Sequence, residues 1–264
     1  MTRVPVLLYH SVGDDTSGPL GPYTTSVADF RDQMAWIADE GFTTLTVREY
    51  AVMLTGRRSV PERPLVITFD DGFDDFVHNA LPVLRSYSHA CTMFVTTAAT
   101  WRQRPRALGG RATMSWSQVA ALPESGVEVG AHSHEHLQLD LLPSRTVTSQ
   151  LRTCKDLLEQ ATQDEVTSFA YPHGYNRGTT RRLVEKSGFS SACAVKNRVS
   201  HLEDDRWSLA RIMLMSNQSV PFLRRGIVES MLPLAGRNQH LRTSLWRATR
   251  WARTQGRPLV AVTT

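Results

Sequence analysis

The sequence predicts an α/β fold in which a mostly parallel sheet closes into a single-domain, distorted (β/α)7-8 barrel. Short apolar runs alternate with amphipathic stretches over residues 1–218, which gives seven or eight such units. A length of 264 residues suits one barrel, and 41% hydrophobic residues are enough for a core of ordinary size. Candidate site residues directly follow three predicted strands, which is where the chemistry of a parallel barrel lies.

The predicted strands are short apolar runs bounded by turn residues. Residues 4–9 form the first run, and a β-branched run over residues 65–69 leads directly into two aspartates. Further strands are predicted over residues 43–45, 91–95, 127–129, 168–170, 191–195 and 209–213. Because helical stretches separate the strands, we expect neighbouring strands to run parallel.

The predicted helices follow from apolar residues at helical spacing and from their end signals. Ser26 is expected to cap the first helix, and Gly41 suits its end. Thr46 is expected to begin a second helix that runs through residue 54. Further helices are predicted over residues 74–87, where Pro82 marks a kink or a restart, and over residues 115–122, 144–160 and 177–187.

Residues 219–264 are predicted to form a helical, arginine-rich extension outside the barrel of residues 1–218. No acidic residue follows Glu229, whereas six arginines do: Arg237, Arg242, Arg247, Arg250, Arg253 and Arg257. A stretch of one charge sign favours contact with phosphate groups or with an anionic membrane surface. The alternative is a helix whose Trp246 and Trp251 are buried against the barrel while the arginines face water.

The chain begins with only a very short apolar run and contains no apolar stretch of membrane-spanning length. We therefore expect a cytoplasmic protein, either free or peripheral to the inner membrane face, and no nucleic-acid partner. The three cysteines, Cys91, Cys154 and Cys193, are widely spaced and form no CxxC pair. This spacing argues against a zinc knuckle and against a disulfide framework.

The strongest local motif is TFDDG over residues 68–72, at the end of a predicted strand. Successive side chains of an extended chain point to opposite sides, so Asp70 and Asp71 are expected to face different directions. One carboxylate can then bind a metal while the other accepts a proton, and Gly72 permits a tight turn. The structural alternative is a helix cap followed by a turn.

Three histidines occur in the segment 132–136, HSHEH, after another predicted strand. His132 and His136 are four positions apart, a separation that suits two metal-binding imidazoles when the chain turns helically. The motif therefore predicts a metal site, with a solvated polar loop as the alternative.

A third motif, Tyr171-Pro172-His173-Gly174, also follows a short apolar strand. Its proline and glycine fix the backbone, which could present an N–H group to a developing oxyanion. The alternative is a turn that only ends the strand.

In this order, the three motifs resemble those of the polysaccharide deacetylases, the NodB-type or family-4 carbohydrate esterases. The resemblance extends from about residue 5 to about residue 215, and the pair TFDDG and HSHEH is specific. It implies a distorted (β/α) barrel that removes acetyl groups from glycans such as chitin, peptidoglycan and xylan. Residues 9–12, YHSV, are similar to one branch of that family.

The resemblance implies a metal centre and a base. Asp70 matches the catalytic base, Asp71 the carboxylate ligand, and His132 and His136 the two imidazole ligands. Such a ligand set leaves positions for a water and the substrate carbonyl, and the expected cofactor is a divalent metal, Zn²⁺. The metal lowers the pKa of the water and polarises the carbonyl, and Asp70 takes the proton.

The resemblance also implies a groove beside the metal. The segment 171–174 matches the family's groove and oxyanion motif, which gives a catalytic role to His173 through its backbone N–H. The expected substrate contacts are His10, Tyr171 and Pro172.

The sequence departs from the family pattern at three places. The arginine that often precedes the proline motif is Ala170 here, and Arg211 is predicted to hold Asp70 instead, with a surface arginine as the alternative. The DxxDW motif is matched only loosely by residues 204–207, DDRW. The late LxxH histidine, a general acid in the family, is missing, because residues 214–217 are LMSN. The leaving amine would then take its proton from water or from His10, His173 or His201.

The sequence therefore predicts a metal-dependent hydrolase that removes an N-acetyl, or alternatively an O-acetyl, group from a sugar-containing substrate. The expected substrates are an N-acetylated sugar, a sugar nucleotide, a lipid-linked glycan or a glycosylated natural product. The alternatives are a glycan-binding barrel without turnover and an amide or imide hydrolase of a small metabolite. An aspartyl-phosphate phosphatase is disfavoured because its second aspartate would fall on Gly72.

Overall fold

The computed structural model describes residues 2–100, 108 and 110–232 of the chain. In this part the strands are β1 (Arg3–Val4), β2 (Val6–Tyr9), β3 (Ser11–Val12), β4 (Thr24–Thr25), β5 (Thr43–Leu45), β6 (Pro64–Phe69), β7 (Cys91–Val95), β8 (Val127–Ala131), β9 (Ser168–Ala170), β10 (Ser191–Cys193), β11 (Ser200–His201) and β12 (Ile212–Met213). The α-helices are α1 (Val27–Asp39), α2 (Val47–Leu54), α3 (Leu81–Ser86), α4 (Thr97–Thr100), α5 (Trp116–Ala121), α6 (Ser144–Thr162), α7 (Gly178–Lys186) and α8 (Val220–Leu223).

Eight of these strands form one parallel sheet that curls into the predicted distorted (β/α) barrel. The strand order is β10-β9-β8-β7-β6-β2-β12, and β5 pairs with the first half of β6. Leu209 forms a parallel bridge with Cys193 of β10, while Ile212 of β12 pairs with Leu7 of β2. The segment 209–213 therefore joins the last strand of the sheet to the first and closes the ring.

The sheet is covered on both faces. All six residues of β6 are buried, which explains why its sequence is a continuous apolar run. Leu65, Ile67 and Phe69 belong to the main core between the sheet and the outer helices. Val66 belongs to a second apolar cluster inside the barrel, and Thr68 follows the same alternation along the strand.

Helix α2 covers the amino-terminal end of the barrel. A capping box between Thr46 and Glu49 begins this helix, as predicted. The backbone N–H of Val47 donates to Thr92 Oγ1 at 2.9 Å, and that of Arg48 donates to Glu128 Oε2 at 3.0 Å. Because these contacts close the amino end, the site residues have to use the carboxyl ends of the strands.

Helix α1 begins and ends where the sequence predicts. Ser26 Oγ accepts a hydrogen bond from the backbone N–H of Asp29, and Gly41, just after the helix, has a φ of 71°. This left-handed conformation is the reason why a glycine suits the end of the helix.

Two prolines change the predicted boundaries. The predicted strand over residues 4–9 is divided at Pro5, whose nitrogen carries no hydrogen; β1 pairs antiparallel with β11, and β2 pairs within the barrel. The predicted helix over residues 74–87 is instead a π-helical turn, Phe76–Ala80, followed by α3. Pro82 lies at the start of α3 because it cannot donate to the preceding turn, so the helix restarts there.

The beginning of the predicted C-terminal extension packs on the barrel. Leu223 of α8 and Ile227 of the following π-helical turn are buried in the main core. The arginine-rich residues from 233 onward lie outside the described residues, so the predicted boundary at 218/219 and the membrane contact stay predictions. None of the helices within residues 2–232 that the structure describes is long and apolar enough to cross a membrane.

Candidate active site

The candidate site residues meet at the carboxyl ends of the barrel strands. Asp70 and Asp71 follow β6, His132 follows β8, and His10 follows β2. Because these strands run parallel, their ends lie at one face of the barrel, opposite the face that α2 covers.

Asp71, His132 and His136 form a compact cluster in which one ligand atom of each residue lies within 4.8 Å of the others. Asp71 Oδ1 lies 3.4 Å from His132 Nε2 and 3.3 Å from His136 Nε2. Asp71 and His132 are buried, with 4% and 1% exposure, while His136 is half-buried. In the part of the chain that the structure describes, no other group of three such side chains has this spacing.

The chemistry of this cluster fits a metal cation. Asp71 Oδ1 is buried and has no hydrogen-bond partner, which would be costly for a carboxylate that held no cation. His132 Nδ1 lies 2.9 Å from the carbonyl oxygen of Ala170, so this nitrogen carries a proton and Nε2 is the ring nitrogen that faces Asp71 and could bind a cation. Burial raises the pKa of the Asp71 carboxyl, but the imidazoles of His136 and His132 outweigh that effect and hold it well below its usual range.

A left-handed turn separates the two aspartates in direction, as the TFDDG motif predicts. Asp71 has a φ of 77° and Gly72 a φ of 82°. A Cβ atom on Gly72 would lie 3.3 Å from Val95 Cγ1, so the glycine also allows close packing against β7. The turn leaves Asp71 facing the histidines and Asp70 facing the barrel interior.

The HSHEH segment is an irregular loop, so it is not a helical turn that brings His132 and His136 together. Ser133 and His136 have left-handed φ values of 63° and 55°, and Ser133 Oγ accepts a hydrogen bond from the backbone N–H of His136. These two reversals bring His136 back beside His132 without a helix. The ring centroids of the two histidines are 5.0 Å apart.

The two middle residues of the loop anchor it from outside. Thr97 Oγ1 lies 2.8 Å from His134 Nδ1, and Gln150 of α6 makes two hydrogen bonds of 2.8 Å to Glu135, one with the backbone and one with the carboxylate. Sequence reasoning did not identify Thr97 or Gln150. Gln150 is a polar residue on the otherwise apolar, buried face of α6, and this position could have indicated that its side chain has a polar partner.

Asp70 forms a bidentate ion pair with Arg211 inside the barrel. Arg211 Nη1 and Nη2 donate to Asp70 Oδ1 and Oδ2 at 2.6 and 2.7 Å, and Nε donates to the Ala194 carbonyl at 3.2 Å. Arg211 is fully buried, so the alternative of a surface arginine is wrong. Burial raises the pKa of the Asp70 carboxyl, but the guanidinium of Arg211 and the ring of His132 outweigh it, so the pKa is below its usual value.

Two further histidines border the cluster. The ring of His173 lies 4.8 Å from that of His136, and the ring of His10 packs 5.4 Å from that of Tyr23. His10 Nδ1 is buried without a hydrogen-bond partner, and burial lowers the pKa of this imidazole despite the nearby carboxylates of Asp71 and Asp70.

Two of the predicted site residues, Tyr171 and His201, lie outside the cluster. Tyr171 is fully buried, packs its ring on Phe169 at 5.3 Å and donates its hydroxyl to the Trp207 carbonyl at 2.9 Å. Its side chain therefore belongs to the core, and the predicted substrate contact of this side chain is wrong. His201, one candidate acid, belongs to β11, which pairs with β1 at the amino end of the barrel, and its ring contacts Glu203 and Asp204.

Pro172 begins a short 3-10 turn, Pro172–Gly174, that holds His173 beside the cluster. His173 adopts a φ of 58° and Gly174 a φ of 74°, and a Cβ atom on Gly174 would lie 2.5 Å from the backbone nitrogen of Val195. The turn is thus fixed by contact with the chain after β10. The predicted roles of Pro172 and His173 in substrate binding and catalysis stay predictions.

A Gly174→Ala substitution is expected to lower the free energy of unfolding by about 2 to 4 kcal/mol, because overpacking adds to left-handed strain. Gly178→Ala is the control, since no atom lies within 4 Å of its Cβ position. This control should stay within about 1 kcal/mol of the native protein. Urea denaturation measures both variants, and equal stabilities would show that the Gly174 contact is not tight.

Comparisons with known proteins agree with this geometry. The sequence profile of the polysaccharide deacetylase family matches residues 57–192, more than half of the chain. The Bacillus subtilis protein YxkH, which is named as a polysaccharide deacetylase, is 25% identical to this chain over 217 residues. The match covers 82% of this chain and 73% of YxkH. A poly-beta-1,6-N-acetyl-D-glucosamine N-deacetylase of Staphylococcus aureus is 19% identical over 212 residues, 77% of this chain and 72% of that protein.

Among solved structures, the Streptococcus pyogenes deacetylase PplD in complex with acetate is similar to this chain, with a TM-score of 0.76. The identity is 22%, and the match covers 88% of this chain and 99% of that chain. At this identity, the likeness shows a common fold.

Proposed function

The chain belongs to the polysaccharide deacetylase family, and we propose that it is a metal-dependent deacetylase that hydrolyses an N-acetyl group of a sugar-containing substrate. One observation carries this proposal: a buried Asp71 oxygen without a hydrogen-bond partner lies 3.4 Å from His132 Nε2 and 3.3 Å from His136 Nε2. A second carboxylate, Asp70, lies beside the same cluster, with Oδ2 3.7 Å from His132 Nε2.

We propose that Asp71, His132 and His136 hold a Zn²⁺ ion. One carboxylate and two imidazoles are the ligand set of several catalytic zinc sites, in which further positions stay open to water and substrate. When bound, the ion polarises the acetyl carbonyl and lowers the pKa of the attacking water.

Asp70 is the proposed base. Arg211 donates to both of its oxygens, which favours the ionised carboxylate and fixes its orientation beside the cluster. Asp70 takes a proton from water as the water oxygen bonds to the acetyl carbon. The C–N bond then breaks, acetate is released, and the sugar nitrogen gains a proton to become an amine.

The proton for the leaving amine has two proposed donors, His10 and His173. His10 has a free, buried Nδ1, and His173 packs on the ligand His136, so each lies at the edge of the cluster. The family's usual late histidine is absent, since residues 214–217 are LMSN. An O-acetyl ester would need less help from such a donor, because an alkoxide is a much better leaving group than the anion of an unprotonated amine nitrogen.

A deacetylation screen with measured metal content tests the proposal. The purified protein is incubated with N-acetylglucosamine, its oligomers, sugar nucleotides, lipid-linked sugars and a chromogenic acetyl ester, and mass loss of one acetyl group is followed by mass spectrometry. We expect release of acetate by the zinc-loaded protein, loss of activity after chelation, and recovery when zinc is returned.

The outcomes separate the rival functions. A metal-loaded protein that binds glycans but releases no acetate would be a binding barrel. A protein that hydrolyses small amides or imides but no acetylated sugar would be a different hydrolase. Full activity in the chelated protein would overturn the metal-dependent mechanism.

A further inference from the structure

Gln150, a buried residue of helix α6, holds the loop that carries one of the proposed metal ligands. Building on the metal site proposed above, we propose that Gln150 is a positioning residue, which fixes His136 through Glu135 and thereby sets the affinity of the site for its cation. Gln150 lies on a helix, outside the motifs TFDDG, HSHEH and YPHG.

The three proposed ligands are held in different ways. Asp71 lies in the left-handed turn that directly follows β6, and His132 directly follows β8, where Ala170 orients its ring. His136 lies at the far end of the irregular HSHEH loop, with a left-handed φ of 55°. The position of His136 therefore depends on the path of the loop rather than on the end of a strand.

The amide of Gln150 holds both the backbone and the side chain of Glu135, the residue just before His136. Gln150 Oε1 accepts a hydrogen bond of 2.8 Å from the backbone N–H of Glu135, and Gln150 Nε2 donates to Glu135 Oε2 at 2.8 Å. The second of these bonds has a carboxylate acceptor, which makes it stronger than a bond between neutral groups. Two bonds from one planar amide fix both the place and the rotation of the residue next to the ligand.

Helix α6 gives this amide a fixed base. Gln150 is only 6% exposed. Three other residues on the same buried face of α6, Val147, Leu151 and Cys154, belong to the main core. A buried amide is costly unless its donor and acceptor groups are paired, so the contact with Glu135 stabilises the side chain of Gln150 as well as the loop.

The affinity of a metal site depends on how well its ligands are placed before the cation binds. A ligand that has to be ordered during binding adds a cost in conformational entropy. Residues that orient the ligands of a metal site typically change its affinity by about 10- to 100-fold. The contact between Gln150 and Glu135 lies next to the ligand on the irregular loop, so its loss should weaken binding through His136.

Gln150→Leu is expected to weaken zinc binding by about 10- to 100-fold, because the side chain keeps its size while the amide is lost. Zinc affinity is measured by competition with a chromophoric chelator, and the visible absorption of the cobalt-loaded protein, which reports ligand geometry, should change as well. The control is Gln33→Leu in α1. Gln33 is also a buried glutamine with two hydrogen bonds of 2.7 Å, one from the Tyr9 hydroxyl and one to the Gln218 carbonyl. Because these partners differ from those of the loop, the control should keep the native zinc affinity within about threefold and the native cobalt spectrum.

An exchange of the two side chains tests the contact itself. Gln150→Glu alone places two carboxylates against each other and should also weaken zinc binding. Adding Glu135→Gln restores one amide donor and one carboxylate acceptor, and the backbone N–H of residue 135 again finds an acceptor oxygen. The double variant should therefore bind zinc within about threefold of the native protein. A role of Gln150 in packing alone would not produce this recovery.

The outcomes separate this inference from the function on which it rests. Native zinc affinity in a folded Gln150→Leu protein overturns the inference, as does a double variant that binds zinc no better than Gln150→Glu. Circular dichroism checks the fold of each variant, and if Gln150→Leu does not fold, the exchange decides alone. A native protein that binds neither zinc nor cobalt removes the proposed metal site, and this inference with it. Absence of acetate release by the zinc-loaded native protein overturns the proposed function alone, because the affinities are measured without substrate.

Discussion

An Asp70→Asn variant is expected to keep its fold and its metal while kcat falls by roughly two to four orders of magnitude, the usual range for loss of a general base. The amide has the same shape as the carboxylate but cannot accept a proton from water. Arg211 would still find one oxygen acceptor in the amide, and it keeps its hydrogen bond to the Ala194 carbonyl. Turnover, metal content and circular dichroism measured on one preparation give the three readouts.

Asp140→Asn is the matched control, because Asp140 is also a buried aspartate but lies after the HSHEH loop, where Gln138 donates to it. Its turnover should equal that of the native protein. Near-native turnover of a metal-replete Asp70→Asn protein would show that Asp70 is not the base.

The second large effect is expected from His132→Ala, which should abolish stoichiometric metal binding. His132 is nearly fully buried and is oriented by the Ala170 carbonyl, so no neighbouring side chain can replace its Nε2 atom in place. Metal content is measured by mass spectrometry after dialysis, and zinc affinity by competition with a chromophoric chelator.

His134→Ala is the control within the same motif, since that ring contacts Thr97 and is not a member of the three-residue cluster. This variant should keep one metal per chain. An unchanged metal content in both His132→Ala and Asp71→Ala would show that the metal, if bound, lies elsewhere.

Much of the barrel could be predicted because local signals and tertiary structure agree. The apolar run of β6 and the cap of α2 at Thr46 are determined by nearest neighbours in the sequence, and both occur as predicted. The short strands β3, β4 and β11 were not predicted, since two residues carry no periodicity. Their pairing depends on loops that only the closed barrel brings together.

The site was predictable in composition and less so in geometry. The spacing of His132 and His136 indicated two ligands, but left-handed residues in a loop bring them together rather than a helix. Tyr171 belongs to a motif of the groove, yet its alternation along the chain places the ring in the core. The sequence pattern predicts which residues belong to the site, whereas left-handed backbone conformations determine which of their side chains face it.

The position of Arg211 in the chain has a consequence for biosynthesis. The three proposed metal ligands are complete once residue 136 has left the ribosome, whereas the guanidinium that pairs with Asp70 arrives with the segment that closes the ring. Until that segment docks, the Asp70 carboxylate lacks the guanidinium that binds both of its oxygens, and burying it without this partner is unfavourable. The proposed metal ligands are therefore synthesised well before Arg211, and the proposed base is aligned only when the segment 209–213 closes the barrel, so the complete site forms at the end of folding.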